Sequence, residues 1–233
     1  MLDERSYNRL AIDTEATERA FLARVYAWMM GALILTMMAA WATIESSFLM
    51  VMVENPALRI GLLLGNFALV IAMTALLGRI SLPLLSAGFV LYSLLNGVTL
   101  SVIFLVYTEG SIVTTFGVTA ATFGIMSLYG YTTGRDLTGW GNLLFMGLVG
   151  IILASLVNLF LQSEAVYWVT TYIGVIVFVG LIAYDTQKLK RLARSGAAEG
   201  EFGQKLAITG ALSLYLDFIN LFLKLLAILG KRR

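Results

Sequence analysis

Apolar residues in this chain come in runs of about twenty, separated by short polar connections. The runs cover 21–44, 60–77, 84–107, 112–129, 142–161, 165–184 and 206–229. An α-helix rises about 1.5 Å per residue, so about 20 residues cross a hydrocarbon core about 30 Å thick. Six runs predict transmembrane helices outright. The seventh is long enough but is interrupted by charge. The separators carry turn chemistry. Both prolines of the chain, in Glu54-Asn55-Pro56 and Ser81-Leu82-Pro83, fall where a first helical turn tolerates them. Gly134-Arg135-Asp136 and Gly139-Trp140-Gly141 bracket a further turn, and the longest connection, 194–203, is rich in Gly, Ala and Glu. The pattern predicts an all-α integral membrane protein, a seven-helix transmembrane bundle. Residues 1–20 read as a cytoplasmic tail, 21–230 as a single membrane domain and 231–233 as a basic end.

Composition agrees with this pattern. Soluble chains carry about 25% charged residues, whereas this one carries 13%, with 59% hydrophobic residues. A lipid bilayer solvates apolar faces that so few polar groups could not cover in water. The net charge of +2 gives no reason to expect a nucleic-acid partner. The chain has no Cys and no His. That removes disulfides, thiolate or imidazole metal sites, and nucleophiles activated by histidine. No nucleophile–base system is visible, so an enzyme is not expected, nor a cofactor. The first apolar run follows a polar stretch without a small-residue cleavage site, so no cleavable signal peptide is expected.

Lys and Arg set the expected orientation, because cytoplasmic loops are enriched in them. Arg5, Arg9, Arg19 and Arg24 precede or open the first span. Arg79 follows the second, Arg135 the fourth, and Lys188, Lys190, Arg191 and Arg194 the sixth. Simple alternation puts all of these on one side, and the amino terminus is expected in the cytoplasm. The opposite side receives Arg59 and the acids Glu45, Glu54, Glu109 and Glu164. A seventh full span then puts Lys231, Arg232 and Arg233 outside. The alternative is a re-entrant last segment; a full seventh span is the reading adopted.

An ionisable group inside a membrane is costly unless paired or hydrated, and so marks a functional position. Within the apolar runs and at their ends, two acids stand out: Asp185 near the cytoplasmic end of the sixth span and Asp217 near the middle of the seventh. Ser213, Asp217, Asn220 and Lys224 follow one another at four, three and four residues, which puts them on one helical face. Such a stripe should face protein or water, so the last helix is expected at the centre of the bundle. Counting from the connection, the two carboxylates differ in depth by roughly 9 Å, which tilt can absorb. If they meet away from water they cannot both ionise easily, and would share a proton near neutral pH. Arg79 is a possible charge partner that would oppose this. Lys224 is expected to snorkel toward the headgroups. Gly61-Leu62-Leu63-Leu64-Gly65 reads as a helix-packing patch, and Asn66, Asn96 and Asn158 as interhelical hydrogen bonds. Trp41, Trp140 and Trp168 read as interfacial belts.

Several of these segments resemble a known family. Tyr184-Asp185-Thr186-Gln187-Lys188 and Ala211-Leu212-Ser213-Leu214-Tyr215-Leu216-Asp217-Phe218-Ile219-Asn220-Leu221-Phe222 are similar to the Bax inhibitor family of membrane proteins. Phe21-Leu22-Ala23-Arg24-Val25-Tyr26 and Arg135-Asp136-Leu137 resemble its bacterial members. The resemblance implies a seven-helix bundle with the last helix central and a pH-sensitive calcium leak. It implies a proton-sharing pair at Asp185 and Asp217, and a latching basic residue at Arg79. Some relatives carry an acid in the second helix; 60–77 has none. Bacterial members imply the cytoplasmic (inner) membrane, and some are linked to membrane protein quality control.

Two readings of function follow. One is a cation leak gated by the aspartate pair. Calcium takes six to eight oxygen ligands; two carboxylates with Ser213, Asn220, carbonyls and water would give a weak, transient site. The other is a regulator or scaffold that binds a membrane protease or another membrane protein and transports nothing. A retinal protein, with a Schiff base at Lys224, is disfavoured because the third span has no acid and Lys224 lies near a helix end.

Overall fold

A computed structural model describes residues 4–233, with side chains from Glu15 onward. Met1, Leu2 and Asp3 of the expected tail lie outside the described residues. The described helices are α1 (Glu4–Glu45), α2 (Phe48–Glu54), α3 (Pro56–Ala75), α4 (Leu82–Leu100) and α5 (Ile103–Val106). They continue with α6 (Glu109–Thr132), α7 (Thr138–Leu161), α8 (Glu164–Arg194) and α9 (Gly200–Leu229). Among the described residues, seven segments are long and apolar enough to cross a membrane: Glu15–Glu45, Pro56–Ala75, Leu82–Val106, Glu109–Thr132, Thr138–Leu161, Glu164–Arg194 and Gly200–Leu229. Each contains or closely overlaps one expected run, the charged seventh included. The expected tail is helical from Glu4 and continuous with the first span.

The chain separates into two compact units. One comprises the residues up to Leu105 together with Leu189–Leu212; the other comprises Val106–Lys188 and Ser213–Arg233.

In the first unit α4 packs against α1 and α3. The α1–α4 contact is close because Gly97 has no side chain. A Cβ there would collide with the Thr36 carbonyl and the Ala39 methyl. Thr36 in turn donates its hydroxyl to the carbonyls of Ala32 (2.9 Å) and Ser93 (3.0 Å), so a polar group is satisfied where the helices touch. Asn66 on α3 donates to the Thr99 hydroxyl on α4 at 3.0 Å, an interhelical bond of the kind expected. Pro56 opens α3, whose first turn is capped by the Asn55 side chain accepting from the Leu58 amide at 3.1 Å. At the end of α8, Arg194 meets the buried Glu18 of α1 at 2.5 Å.

Two local expectations fail, and a third gains a detail. The third span is long and apolar enough over Leu82–Val106, as expected, but it carries a break after Leu100, where the Ser101 hydroxyl turns back to the Val98 carbonyl at 2.7 Å and α5 follows. A hydroxyl that competes for a carbonyl of its own helix can interrupt it. The Gly61–Gly65 patch makes no close helix crossing at its glycines among the described residues; a Cβ at either would meet open space. Small residues permit close approach but supply no partner. Asn158 caps its own helix end. Its side-chain oxygen accepts from the Ser163 amide at 2.9 Å, next to Gln162, which holds a left-handed φ of 50°.

The second unit assembles α6, α7, most of α8 and the second half of α9. Phe116 and Phe123 of α6 pack edge-on against Phe218 and Phe222 of α9, with ring centroids 5.2 to 6.1 Å apart. Glycines again mark the tight crossings. Gly130 of α6 lies against the backbone of Ala183 on α8, and Gly141 of α7 lies under the Tyr184 ring.

Candidate functional site

Asp185 and Asp217 belong to the second unit, and the structure makes them electrostatic neighbours. Their placement follows from the antiparallel register of α8 and α9. Ser213 hydrogen-bonds the Asp185 carboxylate, so those two residues share a level. Lys224 lies over Gly174, where an added Cβ would come 3.0 Å from its Cε. Eleven residues separate Asp185 from Gly174, and eleven separate Ser213 from Lys224, so the register holds between the two contacts. Asp217 lies four residues past Ser213. It is therefore about 6 Å, one helical turn, deeper than Asp185. Loop counting gave a larger offset because it took no account of how the two helices pair.

Asp217 is only 6% exposed, and its Oδ2 has no hydrogen-bond partner among the described residues. Asp185 is half-buried, with its bond to Ser213 and the exposed Lys188 one turn along α8 acting on it. An unsatisfied carboxylate oxygen in an apolar helix bundle is costly unless a proton, water or a cation reaches it.

The rest of the polar stripe divides its roles. Asn220 is half-buried, and its amide donates to the Leu216 carbonyl of its own helix at 2.8 Å. That leaves its side-chain oxygen as the part that can act as a ligand. Lys224 is half-buried, its stem covering Gly174, in keeping with a snorkelling side chain. Arg79 is exposed, on the turn after α3, in the first unit. Among the described residues no group of three or more acids could hold a metal ion. The chemistry here is that of a two-carboxylate pair.

Two neighbours of the pair were not singled out in the sequence. Gln187, buried two residues beyond Asp185, donates its amide to the Arg135 carbonyl at 2.8 Å and accepts from the Leu137 amide at 2.9 Å. It fastens the α6–α7 connection to α8. In that connection Asp136 accepts from the Thr138 amide (2.9 Å) and hydroxyl (2.6 Å), opening α7. A glutamine within the Tyr-Asp-Thr-Gln segment was the available signal, hidden by its proximity to the basic helix end. Gln187→Leu keeps the volume but leaves the buried Leu137 amide unpaired and releases the Arg135 carbonyl, at a cost of about 1–3 kcal/mol. The melting temperature in detergent should fall by several degrees, at roughly 2–4 °C per kcal/mol. The second neighbour is Gly130, whose close approach to Ala183 sets how near α6 comes to the helix segment bearing Asp185.

Seven apolar helices and a carboxylate pair on the last two define a multi-pass membrane protein with an ionisable centre. The particular assignment comes from comparison with known sequences. The chain belongs to the Bax inhibitor family: the family described as inhibitor of apoptosis-promoting Bax1 matches residues 18–233. It is similar to the inner membrane protein YbhL of Escherichia coli K12, 52% identical over 224 residues, 95% of this chain and 96% of that protein. It is also 46% identical to an uncharacterized protein of Borreliella burgdorferi over 214 residues, 91% of this chain and 92% of that one. With an uncharacterized protein of Deinococcus radiodurans it shares 40% identity over 231 residues, 98% of this chain and 99% of that one.

Proposed function

We propose that this protein is a non-enzymatic cation leak pathway of the bacterial inner membrane, with calcium as the permeating ion and the Asp185–Asp217 pair as a pH-sensitive gate. The observation that carries this reading is the pair itself: two carboxylates made neighbours by antiparallel helices, one of them buried with an oxygen unpartnered. A shared proton holds α8 and α9 together. Its loss leaves two like charges that repel and draw in water or cations. Two carboxylates with Ser213, the Asn220 oxygen, carbonyls and water make a weak calcium site, suited to passage rather than storage. A place for α9 at the centre of the bundle agrees with the burial of half of its membrane-crossing window, the largest share among the seven spans. The inner membrane agrees with the printed name of the E. coli relative.

Calcium entry into proteoliposomes holding the purified protein tests this directly. Entry above that of empty vesicles, rising with pH, is the expected result. No entry at any pH would favour the regulator or scaffold reading, in which the protein acts on a membrane protease or other membrane partner. The orientation has its own check. Reporter fusions after Arg79, Arg135 and Arg191 should report the cytoplasm, and a fusion after Arg233 the other side. An external reporter at any of the first three would overturn the assignment of sides.

A further inference from the structure

The last residues of the chain fold back on the segment that precedes α6. The Thr108 amide donates to the Lys231 carbonyl, and the Arg233 amide to the Val106 carbonyl, each at 3.0 Å. Tyr107 pairs with Arg232 in an isolated antiparallel bridge, and the Arg233 guanidinium lies 3.3 Å from Glu109. Backbone bonds thus fix where the Arg232 side chain starts.

Beside it lies an open cavity of about 430 Å³, within the range of roughly 300–1,000 Å³ common to ligand sites. Arg232 comes to it from the chain end, Glu164, Tyr167 and Trp168 from the start of α8, and Ala227 and Ile228 from the end of α9. Arg232 donates a hydrogen bond to the Tyr167 hydroxyl. The Trp168 indole N–H donates to Glu164 Oε1 at 3.4 Å. Each charge is therefore held by an aromatic partner, and Trp168 is itself stacked on Tyr172 with ring centroids 5.8 Å apart. The cavity sits where two membrane-crossing helices end, the depth at which headgroups and interfacial aromatics meet.

We propose that this cavity binds the headgroup of a zwitterionic phospholipid carrying a primary amine. The guanidinium of Arg232 takes the phosphate, with which it can form charge-assisted hydrogen bonds. Glu164 accepts from the ammonium, which also lies against the Trp168 ring. The acyl chains leave along Ala227 and Ile228. A phosphoglycerol headgroup sets neutral hydroxyls opposite Glu164 in place of the ammonium, and so loses the charge-assisted contact. A quaternary ammonium cannot donate a hydrogen bond to Glu164. The assignment rests on the membrane setting and the cavity, and stands or falls apart from the carboxylate gate.

Native mass spectrometry of the purified full-length chain tests it, with equimolar dioleoyl phosphatidylethanolamine and phosphatidylglycerol offered in competition. The wild type should retain the ethanolamine lipid about tenfold over the glycerol lipid, the factor of one charge-assisted hydrogen bond. Glu164→Gln should bring that preference close to one, and Arg232→Gln should lower retention of both lipids. Both side chains are exposed, and the Arg232 bridge uses only backbone, so both variants should keep the wild-type melting temperature. Equal retention by the wild type, or an unchanged preference in Glu164→Gln, would overturn the proposal. Soluble phosphoethanolamine bound as well as the whole lipid would overturn the assignment to a lipid.

Discussion

Asp217→Asn and Asp185→Asn each flatten the pH dependence of calcium flux through the reconstituted protein. The expectation rests on the sign of the switch. With one proton bound to the pair, the carboxylates hold each other and α8 and α9 stay closed. Raising the pH removes that proton, the two charges repel, and the open form gains. Wild-type flux therefore rises with pH, and a single linked proton changes the open-to-closed ratio at most about tenfold per pH unit. An asparagine keeps the size of aspartate and one acceptor oxygen, puts an amide donor in place of the other, and cannot titrate. With one carboxylate left, no like charge remains to drive the helices apart. Flux then continues at a low level set by neutral oxygens, with little slope against pH. The exposed Lys188 follows Asp185 by three residues on α8, whereas Asp217 is buried, so Asp217→Asn, which leaves the carboxylate with a cation beside it, should give the flatter profile of the two. Retention of the full wild-type slope in both variants would exclude the shared-proton gate.

Gly130→Val is expected to be the most disruptive single change in the packing around the pair. At Gly130, α6 touches the carbonyl, carbonyl carbon and Cα of Ala183 on α8, all of them backbone atoms. Backbone cannot swing aside as a long side chain can, so the helices must separate. Overpacking of this kind costs about 1–3 kcal/mol, and valine adds two methyls to the Cβ that already collides. The melting temperature in detergent should drop, and because Ala183 is two residues from Asp185, the pH profile of flux should move as well. Gly117→Ala on the same helix is the control: an added Cβ there meets open space, and stability should hardly change. Similar effects of the two substitutions would mean that α6 and α8 do not approach at Gly130.

The seven spans were legible because a bilayer imposes one requirement on every helix, about twenty apolar residues, and the chain meets it seven times. The charged seventh run remained readable as a span because its polar residues repeat at helical spacing. The aspartate pair was legible for the same reason, since few acids lie within apolar sequence. Its geometry was not. The depth of Asp217 relative to Asp185 depends on the register of α8 against α9, which the Ser213 and Gly174 contacts fix and no count of connecting residues supplies. Gly130 and Gly61 look alike as sequence, yet one meets backbone and the other meets nothing among the described residues. A glycine announces that close approach is permitted; only the fold says whether a neighbour is there. Gln187 and Asn158 show the same limit for amides. One bonds across to the α6–α7 connection and the other caps its own helix, a difference set by where distant backbone falls.

The most direct test of the central claim is an infrared difference spectrum of the reconstituted protein, recorded as the pH is raised. A shared proton predicts a protonated-carboxyl stretch that disappears with rising pH as flux increases, and that is lost or shifted in Asp217→Asn and in Asp185→Asn. No such band, or a band untouched by both substitutions, would contradict the account.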